Sequence, residues 1–159
     1  MAEKRISTLK QGLDLAMDYC VSEERYQKQV EDKLMAWGLT FEQAQQVVVE
    51  LISNNFLSEE RYAKIFVVSK LRQNKWGKIK IRSALKEKYI SEQCVRIALG
   101  EIDETEYYEV CSTLVSRKLE EVKDERSPQK EQKIFRYMFS KGFEFDMVKS
   151  VLQKLTTES

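Results

Sequence analysis

The chain of 159 residues contains no histidine, only one proline and only five glycines. Without histidine it lacks the commonest general base of enzymes, and no GxxxxGK[ST], GxGxxG or GxSxG motif is present. The three cysteines are far apart and form no CxxC pair, so we interpret them as reduced core residues rather than metal ligands. The sequence therefore predicts a protein that is not an enzyme and has no metal site.

The chain also lacks long apolar runs. No stretch approaches the roughly 18 consecutive apolar residues that span a bilayer. The first ten residues carry charges with no apolar segment after them, so we expect no signal peptide and a cytoplasmic protein without membrane contact. With so few glycines and prolines, a β-sandwich or barrel is disfavoured, and the apolar pattern has a helical period nearly throughout.

What the chain does have is an internal repeat of apolar residues. Leu39, Ile90 and Phe143 lie 51 and 53 residues apart, and six further apolar positions keep the same spacing around each of them. These six sets are Val30, Ile81 and Ile134; Leu34, Leu85 and Met138; Ala44, Val95 and Val148; Val47, Ala98 and Val151; Val48, Leu99 and Leu152; and Leu51, Ile102 and Leu155. Each copy is a helix, a short turn and a second helix, preceded by one more helix.

This repeat predicts an all-α fold of three tandem three-helix repeats that form an elongated helical array. Two short helices cannot bury their apolar stripes alone, so neighbouring repeats are expected to share them. The predicted repeats are 1–56, 57–102 and 103–159. The predicted helices are 8–20, 22–37, 40–54, 58–73, 75–89 or 77–89, 91–100, 103–122, 127–141 and 144–155.

The pentapeptide SEERY occurs at Ser22 and again at Ser58, which is 36 residues later and out of register with the repeat. Serine is a good helix N-cap, and glutamates in the first turn interact favourably with the helix dipole. We therefore interpret the two copies as the same capping solution at two helix starts, with Ser22 capping the second helix, and not as a shared site.

Positive charge is concentrated in one stretch of the chain. Between Arg61 and Lys88 there are ten basic residues and a single acid, Glu87, so the local net charge is +9 whereas the whole chain carries +1. The ten are Arg61, Lys64, Lys70, Arg72, Lys75, Lys78, Lys80, Arg82, Lys86 and Lys88. Residues 91–125 reverse the sign, with ten acids against four bases. Such a basic block predicts contact with a polyanion or an acidic protein surface.

The predicted contact surface follows one face of the fifth helix. Lys78, Arg82 and Lys86 recur every four residues and so form one stripe, with Lys80 on the opposite flank. The candidate partner-binding or DNA-binding residues are Arg61, Arg72, Lys75, Trp76, Lys78, Arg82 and Lys86. A face of this kind can pair with phosphates or with carboxylates, and charge alone does not choose between them.

The joint before this helix contains Trp76 and Gly77. Trp76 can stack on a nucleobase amid the lysines or can seal the joint as a core residue, and both interpretations stay open. Gly77 is expected to allow a backbone conformation or a close approach that a side chain would block. Base-specific reading by a helix-turn-helix motif is disfavoured, because the second helix of that motif in the first repeat carries Glu42 and Glu50 and no base.

The stretch from Ser58 to Ser91 resembles the central signature of the RecX family of regulatory proteins. The matching residues are Glu59, Glu60, Arg61, Tyr62, Ala63, Phe66, Leu71, Gly77, Ile81, Leu85 and Ile90, and, in the C-terminal part, Lys141, Gly142, Phe143, Val148 and Leu152. Tyr89 departs from the pattern, since the family often has glycine at that position.

This resemblance implies three tandem three-helix repeats, no cofactor, and binding of RecA recombinase in the groove or at the end of a RecA–DNA filament. The implied partners are RecA and RecA-coated single-stranded DNA, with DNA phosphates as a further contact, and the protein is expected to be a monomer. The implied outcome is inhibition of recombinase, ATPase and co-protease activity, and hence regulation of DNA repair and the SOS response. Two alternatives stay open: a non-specific nucleic-acid-binding protein that acts without RecA, and a helical-repeat adaptor for another acidic protein.

Overall fold

The computed structural model describes residues 5–157 and contains helices and turns, but no strand, over that range. The helices in this range are α1 (Leu9–Ser22), α2 (Gln27–Trp37), α3 (Phe41–Ser53), α4 (Glu59–Asn74), α5 (Lys78–Glu87), α6 (Glu92–Gly100), α7 (Glu104–Glu121), α8 (Ser127–Ser140) and α9 (Phe145–Thr157). Residues 1–4 and 158–159, which belong to the predicted first and third repeats, lie outside the described residues. No helix in the described part of the chain is both long enough and apolar enough to cross a bilayer.

The predicted repeat is present in the turns that join α2 to α3, α5 to α6 and α8 to α9. In each turn, a backbone N–H donates to the carbonyl five residues earlier, which is the 6→1 bond of a Schellman helix end. The three bonds run from Leu39 to Leu34 (3.1 Å), from Ile90 to Leu85 (3.2 Å) and from Phe143 to Met138 (3.1 Å). The three copies therefore share their backbone geometry as well as their apolar pattern.

The repeated apolar positions form the core. Of the 21 positions, 20 are buried, and the remaining one, Leu155, is half-buried at the end of the pattern. The first residues of two predicted helix segments cap α3 and α7, since the side chains of Thr40 and Asp103 accept the N–H groups of Gln43 and Glu106 at 3.2 and 3.0 Å. The prediction of an all-α fold with recurring helix–turn–helix units is confirmed.

The chain forms two compact units. One comprises Met1–Ala63 and Leu85–Val95, and the other comprises Lys64–Ala84 and Arg96–Ser159. In the first unit α1, α2 and α3 pack on one another, and in the second unit α7, α8 and α9 do so. The three repeat boundaries drawn from the sequence stay a prediction.

The prediction that Ser22 caps the second helix is wrong. Ser22 is the last residue of α1, where its hydroxyl donates to the carbonyl of Tyr19 at 2.9 Å, and α2 begins only at Gln27. The second SEERY copy does cap a helix, because the hydroxyl of Ser58 accepts the N–H of Arg61 at 3.2 Å. The same five residues thus end up in two different backbone environments.

The two SEERY copies contact each other within the first unit. Arg61 of the second copy donates from Nε to Oε1 of Glu24 in the first copy at 2.6 Å, and the rings of Tyr26 and Tyr62 lie 5.2 Å apart. Arg61 also donates to the side chain of Asn55 at 3.2 Å. Burial raises the pKa of Tyr62 to about 12, so its phenol stays neutral at ordinary pH. Two segments that we interpreted as separate caps are therefore one paired contact.

Replacing Tyr89 by glycine is expected to raise the free energy of unfolding by about 1 kcal/mol. Tyr89 has a φ of 61°, in the left-handed region that Gly38 (125°) and Gly142 (92°) occupy at the two equivalent turns. Its side chain is 74% exposed, so little packing is lost with the ring. Tyr89→Ala is the control, because alanine removes the ring but keeps the Cβ that disfavours this conformation. In urea unfolding, equal stability of the two variants would contradict the prediction.

Candidate polyanion-binding surface

The joint between α4 and α5 spans residues 75–77 and carries Trp76. Lys75 has a φ of 57°, and the N–H of Trp76 donates to the carbonyl of Lys70 at 3.1 Å. This bond ties the joint back to the end of α4. The indole is half-buried, so one part of its surface packs against the protein and another part faces solvent. This geometry is compatible with both roles proposed for Trp76.

Gly77 lies against the turn that joins α8 to α9. Its N–H donates to the carbonyl of Lys141 at 2.7 Å, and the N–H of Ile79 donates to the carbonyl of Gly142 at 3.0 Å. A Cβ added to Gly77 would overlap the carbonyl of Gly142, and one added to Gly142 would overlap Lys80. The close approach predicted at Gly77 is confirmed, and its partner is the backbone of a turn far along the chain.

This close approach brings lysines from three segments to the α4–α5 joint. The Nζ atoms of Lys70 and Lys80 lie 5.0 and 4.8 Å from the centre of the indole ring, where the ring attracts a cation. Lys80 and Lys141 also donate to the carbonyls of the last residues of α8 and α4, at 3.2 and 2.7 Å. We define the Trp76 cluster as Lys70, Lys75, Trp76, Lys80 and Lys141.

The lysines of the Trp76 cluster have no ion-pair partner among residues 5–157. None of the four has a carboxylate within ion-pair distance, although the charge of Lys75 helps to lower the pKa of Glu106. Their ammonium groups contact carbonyl oxygens or the rings of Trp76 and Phe66. Burial lowers the pKa of Lys141, and the charge of Lys80 lowers it further. An anion placed between ammonium groups that repel each other stabilises both of them. The cluster is therefore suited to hold a phosphate or a carboxylate.

Two predicted contact residues on the same segment are already paired with acids of α7. Arg72 donates to both carboxylate oxygens of Glu106, from Nε to Oε1 at 2.6 Å and from Nη2 to Oε2 at 3.2 Å. Lys78 donates from Nζ to Oε1 of Glu104 at 2.6 Å. The hydrogen bond from Arg72, together with its charge, holds the pKa of Glu106 below its usual value. The basic block is thus partly neutralised by residues outside it.

Tyr107 fixes the first residue of α5. Its ring is fully buried and stacks on Phe143 with ring centroids 5.3 Å apart. Its oxygen accepts the N–H of Lys78 at 3.0 Å and donates to the carboxylate of Glu144. Burial and the bond to Glu144 raise the pKa of Tyr107 well above its usual range, so the phenol keeps its proton and remains a donor. The sequence reasoning did not foresee this positioning role.

The other predicted contact residues have individual surroundings. Arg82 is half-buried one turn after Lys78 on α5. In the first unit, Lys86 pairs with Glu92 at 3.3 Å, and the Arg61 side chain is 34% exposed beside Glu24. As a surface that binds a partner, the seven residues chosen from the sequence stay a prediction.

Three members of the Trp76 cluster were not among the residues chosen from the sequence. Lys70 and Lys80 belong to the basic block, but the four-residue stripe on α5 excludes them. Lys141 lies in another repeat, 67 positions from Asn74, whose carbonyl it contacts. One feature of the sequence could have pointed to this contact: a glycine follows a basic or aromatic residue in both segments, at Gly77 and at Gly142.

Comparisons with known proteins follow the same repeat pattern. The family models for the second and the third three-helix domain of RecX match residues 58–99 and 104–152. Regulatory protein RecX of Streptococcus uberis is 27% identical over 158 residues, which cover 98% of this chain and 60% of that protein. Regulatory protein RecX of Clostridium perfringens strain 13 is 30% identical over 132 residues, which cover 82% and 61%. This chain thus spans about 60% of the length of these relatives.

Solved structures show the same fold. The crystal structure of RecX from Lactobacillus salivarius has a TM-score of 0.87 at 23% identity and covers 94% of this chain and 97% of that one. A second crystal structure, of a regulatory protein RecX, has a TM-score of 0.84 at 19% identity, with 91% and 71% covered. The fold and its repeats therefore define an all-α protein built from three-helix domains. The chain belongs to the RecX family, and the relatives compared above are named regulatory proteins.

Proposed function

We propose that the protein is a non-enzymatic regulator that binds RecA recombinase or RecA-coated single-stranded DNA and inhibits recombinase, ATPase and co-protease activity. Membership of the RecX family supports RecA as the partner. The observation that carries the proposal is the Trp76 cluster, whose four lysines lack carboxylate partners within residues 5–157. A RecA–DNA filament offers acidic side chains and phosphates, and both pair well with ammonium groups.

The proposed contact residues extend the set chosen from the sequence. In the first unit they are Arg61 and Lys86. In the second unit they are Arg72, Lys75, Trp76, Lys78 and Arg82, to which we add Lys70, Lys80 and Lys141. Within this set, the lysines of the Trp76 cluster are expected to contribute most, because an unpaired ammonium need not release a carboxylate before it binds a new partner.

A second candidate function is direct binding of single-stranded nucleic acid without RecA. It is favoured by the half-buried indole of Trp76 among ammonium groups, since such a group can stack on a base while its neighbours pair with phosphates. A salt titration of a labelled oligonucleotide separates the two functions. Tight binding without RecA, with a slope of about −0.7 per phosphate contact, supports direct binding. Weak binding that tightens only on RecA-coated strands supports the regulator.

The test of the proposed function is RecA-filament ATPase activity with the wild-type protein and with Lys78→Glu/Arg82→Glu/Lys86→Glu. We expect the wild type to inhibit and the triple variant to lose inhibition while keeping its helical circular dichroism, because three contacts with the partner become repulsive. The control is Lys130→Glu/Lys149→Glu/Lys154→Glu, which changes the net charge equally on α8 and α9. A folded stripe variant that still inhibits would reject the stripe, and a wild type without any effect would reject the function.

A further inference from the structure

The basic residues near the α4–α5 joint include two groups with different electrostatic surroundings. Lys70, Lys80 and Lys141 have no carboxylate partner within the described range, as set out above. Arg72 and Lys78, on the same α4–α5 segment, pair with Glu106 and Glu104 in the first turn of α7. The difference between the groups is therefore set by α7, not by the basic segment itself.

The acids of α7 bind their partners in the way that a polyanion would. Glu106 accepts two parallel N–H···O bonds from Arg72, which is the bidentate geometry that arginine also forms with phosphates. Glu104 forms an ion pair with the Nζ of Lys78, whose side chain is only 24% exposed. A ligand phosphate that uses either cation must displace a carboxylate that is already in place. Arg72 and Lys78 are therefore not expected to bind weak anionic ligands.

We propose that Glu104 and Glu106 are specificity-determining residues that compete, within the chain, with external anions for Arg72 and Lys78. Beside Arg72 and Lys78, they leave the Trp76 cluster accessible to anions, and they reserve the two paired cations for a ligand that supplies several anionic groups at once. Bare single-stranded nucleic acid is therefore disfavoured relative to a surface that carries phosphates and carboxylates together. This inference rests on the proposed function for the identity of the preferred partner, but the competition itself does not.

The test is the double variant Glu104→Gln/Glu106→Gln, with a fluorescein-labelled oligothymidylate as the probe. Glutamine keeps the size of the side chain and releases both cations. Two added phosphate contacts, each with a salt exponent of about −0.7 on single strands, steepen the slope of log K against log salt by about 1.4. At 0.1 M salt the same exponent corresponds to roughly 25-fold tighter binding. Fluorescence anisotropy over a range of salt concentrations measures both quantities.

The matched control is Glu120→Gln/Glu121→Gln at the other end of α7. These two acids pair with Lys123 and Lys118, so the control also releases two cations and changes the net charge equally. It does so about 20 Å away along the helix. Thermal melts followed by circular dichroism confirm that both variants are folded.

The outcomes separate this inference from the proposed function. Tighter oligothymidylate binding by Glu104→Gln/Glu106→Gln alone supports the competition, even if the wild type fails to inhibit RecA. Unchanged binding, or an equal gain in the control, overturns it, even if the wild type inhibits RecA. If both ideas hold, the variant also loses preference for RecA-coated over bare strands, measured as the ratio of the two dissociation constants.

Discussion

A protein with both Lys70 and Lys80 replaced by glutamate is expected to need about a hundredfold higher concentration to inhibit RecA ATPase. Both ammonium groups lie against Trp76 and have no carboxylate partner among the described residues. Reversal of one such contact with a polyanion costs about 1.4 kcal/mol or more, which is tenfold in affinity. The measurement is the half-inhibitory concentration in a RecA-filament ATPase assay.

The control for this prediction is Lys149→Glu/Lys154→Glu on α9. Both lysines are exposed and have no carboxylate partner within the described range, so the change in net charge is the same as in Lys70→Glu/Lys80→Glu. Equal loss of inhibition in the two double variants would mean that net charge alone governs binding. Retained inhibition by Lys70→Glu/Lys80→Glu would remove the Trp76 cluster from the proposed contact surface.

Replacing Gly77 by alanine is expected to lower the free energy of unfolding by about 3 kcal/mol. The added Cβ would meet the backbone carbonyl of Gly142, which cannot move aside as a flexible side chain can. Relief requires separating two backbone segments that are joined by the Gly77 and Ile79 hydrogen bonds at 2.7 and 3.0 Å. Loss of both bonds and local overpacking account for the size of the effect. Urea unfolding followed by circular dichroism measures it.

Gly100→Ala is the matched control for Gly77→Ala. Gly100 is the last residue of α6, and a Cβ added there meets no heavy atom within 4 Å. Alanine at this position should change stability by no more than about 1 kcal/mol, in the stabilising direction. If both alanine variants were equally stable, the contact between the joint and the α8–α9 turn would not hold the second unit together.

The fold could be predicted because the apolar period is dense and repeated. A residue such as Phe143 is recognisable as core from its counterparts Leu39 and Ile90, and the structure buries all three. The Schellman bond at each of these turns follows from the same register. Local sequence did not settle where α2 begins, since Ser22 is a suitable cap in isolation but bonds back to Tyr19 in the completed α1.

The candidate surface was only partly predictable, because its electrostatics depend on contacts distant in sequence. The basic block contains a single acid, so Arg72 and Lys78 look unpaired from composition. Their partners Glu104 and Glu106 come from the acidic segment that follows, and only tertiary structure brings them together. Helical spacing identifies residues on one face of one helix. It cannot identify Lys141 as a member of the Trp76 cluster, because Lys141 belongs to another repeat.

The dependence of the joint on the α8–α9 turn bears on when the Trp76 cluster forms during synthesis of the chain. The hydrogen bond between Lys141 and Asn74 joins residues that are 67 positions apart. The entropic cost of ordering the joint is therefore offset only after the distant segment has been synthesised. A nascent chain still short of that turn already carries the whole basic block, but not the backbone support that gathers its lysines at the indole. Premature release from the ribosome would therefore yield a product with the right charge and the wrong geometry.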